Sequence, residues 1–97
     1  MTSSDSLAER ADAIACRNLG LIAGHRGQYD RAIQWLSKAV AIDPAYVDAH
    51  YNLALAHHYA GHRDQALSHA DIALRLAPDH APAKALRERI DVQGDRD

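Results

Sequence analysis

The sequence predicts an all-α fold of about five helices, stacked as two helical hairpins and a terminal helix. Three observations predict it. The chain repeats itself, its apolar content is alanine-rich and free of phenylalanine, and no segment sustains the two-residue alternation of a half-buried strand. Setting 13–46 against 47–80 brings nine identities into register: Ala15/Ala49, Asn18/Asn52, Leu19/Leu53, Leu21/Leu55, Gly27/Gly61, Asp30/Asp64, Ala32/Ala66, Ala39/Ala73 and Pro44/Pro78. Ile33/Leu67, Ile42/Leu76 and Gly20/Ala54 are conservative matches. Alanine supplies 20 of the 97 residues, which favours helices that approach each other closely.

The elements follow in order. Ser6-Leu7-Ala8-Glu9 has capping-box spacing, so the first helix is expected to start near residue 7, with 1–12 extending it ahead of the repeat. Helix interiors then fall at about 14–26, 30–42, 47–60 and 64–76. Gly27 and Gly61 stand where the chain reverses, a place that favours φ > 0. Asp30 and Asp64 enter the next first turn, suited to a cap or to the helix dipole. Pro44 and Pro78 stop the second helix of each pair. In 81–92, Ala83, Leu86 and Ile90 form one apolar stripe, ringed by Lys84, Arg87, Glu88, Arg89 and Asp91, as a capping helix requires. Residues 93–97 are expected to fray.

The repeated unit resembles the tetratricopeptide repeat, which has the same length and a helix–turn–helix form. With position one at Ala13 and Val47, the small residues of the family pattern fall on Gly20/Ala54, Ala32/Ala66 and Ala39/Ala73, and its proline on Pro44/Pro78. Tyr29 matches the family aromatic at position seventeen, where the second repeat has Arg63. Cys16 and His50 replace the family tryptophan, and Ala23 and His57 its tyrosine. The resemblance covers 13–80 as two full repeats and implies a right-handed superhelix of antiparallel helix pairs, an α-solenoid. It also implies a non-catalytic interaction module with a groove that holds an extended or helical peptide.

Helical spacing separates the faces. His50, Leu53, Ala54 and His57 share the side expected against 64–76. Asp48, Tyr51, Asn52, Leu55 and Tyr59 share another side, which the resemblance makes the groove. Its counterparts are Ile14, Arg17, Asn18, Leu21 and His25 in the first repeat, with Pro82, Ala85, Leu86 and Arg89 in the capping helix. The candidate binding residues are therefore Arg17, Asn18, Leu21, His25, Asp48, Tyr51, Asn52, Leu55, Tyr59 and Arg89. Tyrosine and arginine are favoured at interfaces, and Asn18 and Asn52 suit a peptide backbone. Some tetratricopeptide domains clamp a C-terminal carboxylate with Lys, Asn and Arg. Here Arg17 and Asn52 fit that pattern, while Leu21, Pro82 and Leu86 break it and Lys84 and Arg89 are out of register.

Other functions find less support. Eleven Lys+Arg against 13 Asp+Glu, interspersed, give a net charge of −2 and no basic stripe for nucleic acid. No apolar run approaches the roughly 18–20 residues of a membrane span. One cysteine, Cys16, makes no intrachain disulfide, and the reading defaults to the cytoplasm. There is no phosphate loop, nucleophile elbow or Cys–His–acid signature, so no enzyme and no cofactor are expected. Of seven histidines, His58 and His62 stand four apart, and His50 and His57 seven apart. His62 falls in a turn and no HExxH accompanies them, so no metal site is expected. His50 and His57 are read as packing residues and the rest as solvent-facing. A half-buried imidazole resists charging, so the fold is expected to loosen as pH falls toward about 5.

Two function classes remain: an adaptor that binds a peptide or protein in the groove, and an assembly protein that binds copies of itself. About three stacked repeats usually bury a continuous core, and two repeats with a cap fall short. Leu7, Ala11 and Ile14 extend an apolar line on the first helix, so self-association there, as a homo-oligomer, is expected.

Overall fold

The computed structural model describes residues 3–95, and these form five helices: α1 (Ser3–His25), α2 (Tyr29–Ile42), α3 (Val47–Ala60), α4 (Arg63–Leu76) and α5 (Ala81–Asp95). α1 packs on α2 and α3 on α4 as hairpins, α2 meets α3 between them, and α5 closes on α4. The result is an elongated stack of 51 × 29 × 17 Å.

The reversals have the predicted glycine chemistry. Gly27 and Gly61 adopt φ of +74° and +86°. Gln28 N donates to the Ala23 carbonyl at 2.9 Å, and His62 N to that of His57 at 2.8 Å, so the same six-residue closure ends α1 and α3. Asp30 and Asp64 lie in first turns, where their charge suits the helix dipole. No side chain caps α2 or α4, so neither aspartate acts as a cap. α2 and α4 stop two residues before Pro44 and Pro78, and the turns there close by Tyr46 N to Asp43 O and His80 N to Ala77 O.

Two boundaries differ from expectation. α1 begins at Ser3, not near residue 7, because serine is tolerated in an opening turn and the capping-box spacing falls inside the helix. α5 stays helical through Asp95 instead of fraying from 93, since no proline interrupts its backbone hydrogen bonds. Residues 96–97 of the expected tail lie outside the described residues.

The core consists of two clusters. Ala23, Ala32 and Leu36 of the first hairpin bury Leu53 and Ala56 of α3, with Ile33 and Val40 alongside. Ala54, Ala66 and Ala70 of the second bury Leu86 and Ile90 of α5. Small residues set the spacing. A Cβ at Gly20 would lie 2.6 Å from Leu36 Cγ, so α1 and α2 touch through the missing side chain.

Candidate functional site

An apolar cleft opens between α1 and α3 at their C-terminal ends, where α2 begins. Leu21, Gly24 and His25 of α1 form one wall, Asn52, Leu55 and Tyr59 of α3 the other, and Ala32, Leu36 and Ala56 the floor. It encloses about 230 Å3. The opening has a local cause. Gly24 stands one repeat before His58, and a Cβ there would meet only the Ala32 Cβ, at 4.0 Å. Tyr29, the first residue of α2, stacks on Tyr59 with ring centroids 5.5 Å apart and 20° between planes. Tyr59 is still 54 % exposed, so an aromatic pair sits at the mouth with its outer surface in water. Asn52 is 7 % exposed and accepts a hydrogen bond from Arg17 Nε at 3.1 Å. That bond ties α1 to α3 beneath the cleft.

Five of the ten candidate residues thus meet in one place: Leu21, His25, Asn52, Leu55 and Tyr59. Arg17 joins them through Asn52. Asp48 and Tyr51 lie instead at the junction of α3 with α5. His80 Nδ1 accepts from Ala83 N at 3.2 Å, which caps α5 and leaves the neutral ring its proton on Nε2. That Nε2 lies 3.3 Å from Asp48 Oδ1, and the His80 ring tilts against Tyr51 at 5.4 Å. Tyr51 is half-buried against the second core cluster. Asn18 and Arg89 are exposed and do not line the cleft. Leu86, at a clamp position, is buried against α4, and no carboxylate clamp forms there. Spacing along α1 and α3 did not select Tyr29, Ala32 and Leu36, which belong to α2, nor the small residues Gly20, Gly24 and Ala56. The match of Tyr29 to the family aromatic was the available signal.

A second cluster lies inside the α3–α4 hairpin. His50 and His57 are buried, as their face predicts. His69 of α4 stacks on both, with centroids 5.6 Å from each. His57 Nδ1 in turn meets His62 Nδ1 at 3.0 Å. His50 Nε2 donates to the Pro44 carbonyl at 2.9 Å, so in the neutral ring its Nδ1 accepts from His69 Nδ1 at 3.3 Å. His69 is therefore not solvent-facing, and His58 and His80 are also half-buried. Burial is the main cause that lowers the pKa of His57, and His62 beside it adds to the effect. Among the described residues, no three His, Cys, Asp or Glu side chains are grouped to hold a metal ion.

Comparison with known proteins decides the family. A tetratricopeptide repeat model matches residues 47–80, and a second model, described as a TPR repeat, matches 25–61. Together they span more than half of the chain. The chain belongs to the tetratricopeptide repeat family. Solved structures agree on the fold of this tetratricopeptide protein. The second TPR of Spaghetti (RPAP3), bound to the HSP90 peptide SRMEEVD, superposes with a TM-score of 0.88 at 22 % identity, covering 95 % of this chain and 85 % of that one. The first TPR of the same protein, bound to the same peptide, gives 0.85 at 22 % identity over 90 % and 71 %. The MamA protein gives 0.72 at 26 % identity over 81 % and 49 %. No curated protein matches the chain in sequence. Tetratricopeptide domains are protein–protein interaction modules and typically non-catalytic. No described helix is long and apolar enough to cross a membrane.

Proposed function

We propose that this protein binds a peptide segment of a partner protein in the α1–α3 cleft, without catalysis. One observation carries the reading: an open apolar cleft walled by Leu21 and Leu55 and fronted by the stacked Tyr29–Tyr59 pair. Aromatic and apolar walls supply affinity by burial, and Tyr hydroxyls add directed hydrogen bonds at low entropic cost. The segment preferred is apolar or aromatic, with its backbone along α1 and α3. Arg17 is already bonded to Asn52, and leucines stand at Leu21 and Leu86, so a C-terminal acidic tail is disfavoured. The lone Cys16 fits a reducing compartment such as the cytoplasm.

Selection from a displayed peptide library tests this. The native protein should enrich peptides with a shared apolar or aromatic anchor, and Leu55→Arg/Tyr59→Ala should weaken their binding by roughly tenfold or more, about 1.4 kcal/mol or above. Peptides that bind the native and variant proteins equally would place recognition elsewhere.

A further inference from the structure

The imidazole cluster of the second hairpin has no titrating counterpart in the first. His50, His57, His62 and His69 stand one repeat after Cys16, Ala23, Gln28 and Trp35. None of those four side-chain types becomes a cation in acid. Two hairpins of one design therefore differ in whether the contact between their helices can take up charge.

The imidazoles meet in two pairs, each through its Nδ1 atoms: His50 with His69 at 3.3 Å, and His57 with His62 at 3.0 Å. Such a contact needs one nitrogen that donates and one that accepts. A protonated imidazole carries N–H on both nitrogens, so each pair accommodates one charged ring, and a second sets N–H against N–H. The pairs adjoin, because the His57 and His69 rings stack 5.6 Å apart and only 3° from parallel. Among the described residues, the four rings bond one another and the Pro44 carbonyl, and no carboxylate. The neighbouring elements bring no anion to them either. α2 meets α3 through apolar side chains, and α1 presents Arg17, which is bonded to Asn52. α5 presents Arg89 near His58, and at its start His80 pairs with Asp48. On α4, Arg63 reaches Asp91 of α5, and Asp64 lies in the first turn without bonding the rings.

We propose that the α3–α4 contact is a proton-operated joint: acid parts the α4–α5 unit from α3 while α1, α2 and α3 stay assembled. The two core clusters divide along this line. Leu53 and Ala56 hold α3 to α2 with no histidine among the packed residues. Leu86 and Ile90 hold α5 to the alanines of α4, and Arg87 Nε donates to Asp71 Oδ1 at 2.6 Å, so α4 and α5 move together. Burial already holds the pKa of His57 and His69 down, so the closed joint resists protons that the parted one takes up. A proton on His80 strengthens its pair with Asp48, but that contact is exposed and holds only the start of α5. The cleft is lined by α1, α2 and α3 alone, so the inference stands apart from the cleft reading.

Amide hydrogen exchange of the full chain at pH 7.5 and pH 5, compared as protection factors, tests it. Protection of α4 and α5 should fall by roughly tenfold or more relative to that of α1 and α2. In His57→Ala/His69→Leu this difference between the hairpins should largely vanish. His62→Gln, at an exposed position and with the residue type of Gln28, should reduce it too and serves if the double variant unfolds. Protection lost equally from all five helices in acid would overturn the proposal. So would a preferential loss from α4 and α5 that persists undiminished in the variants.

Discussion

Burial, with the imidazoles of His50 and His57 beside it, holds the His69 pKa down from 6.5 to about 4. His69 is therefore neutral in the folded chain at pH values where an unfolded chain takes up a proton. Between pH 6.5 and 4 the unfolded state binds more protons, so stability is full above about 6.5 and falls as pH drops toward 4. The groups that face His69 are His50 and His57 of α3, with His62 one ring beyond, and no carboxylate contributes to its shift. At about 1.4 kcal/mol per pKa unit the whole window is worth at most about 3.5 kcal/mol. Urea melts at pH 7.5 and pH 5 should differ by on the order of 2 kcal/mol in the native chain. That difference should shrink in His69→Leu, and an equal loss in both proteins would assign the acid sensitivity to other groups. The spacing of His50 and His57 exposed half of this cluster. His69 was missed because a face argument made on α3 alone does not say which residue of α4 stands opposite. The register of the repeat held the signal, since His69 occupies the place of Trp35.

At the scale of elements, α1 and α2 are fitted through two glycines with opposite consequences. A Cβ at Gly20 would press on the buried Leu36, at 2.6 Å from Cγ and 3.0 Å from Cδ2. Overpacking of that kind outweighs the gain in helix propensity, so Gly20→Ala should cost about 1–2 kcal/mol in a denaturant melt. Gly24 has room for a methyl group, and Gly24→Ala should stabilise the fold by about 0.5–1 kcal/mol while filling part of the cleft. If both substitutions shift stability in the same direction, the packing described for this hairpin is wrong. Positions such as Gly27, Pro44, Gly61 and Pro78 made the helix breaks legible, because each residue permits only a few backbone states. The outer end of α1 lacks such punctuation, at that of α5 Gly94 lies within the helix without ending it, and there the boundaries went astray.

For the whole molecule, stacking decides which candidate residues are free. Leu21, His25, Leu55 and Tyr59 stay accessible because Gly24 has no side chain and those of Ala32 and Ala56 are short, which leaves the space between them open. Asp48 and Tyr51, chosen from the same stripe of α3, are engaged by His80 and the second core cluster where α5 closes the stack. A helical wheel ranks these residues alike, since it records direction around one axis and not what the next helix covers. The most direct test of the cleft is a two-dimensional amide NMR titration with a peptide selected on the native protein. Shifts should concentrate at Leu21, Gly24, Tyr29, Leu55 and Tyr59, saturate with one peptide per chain, and largely vanish in Leu55→Arg/Tyr59→Ala. Saturable shifts centred instead on α5, or on the Leu19–Ile22 face of α1, would contradict binding in the cleft.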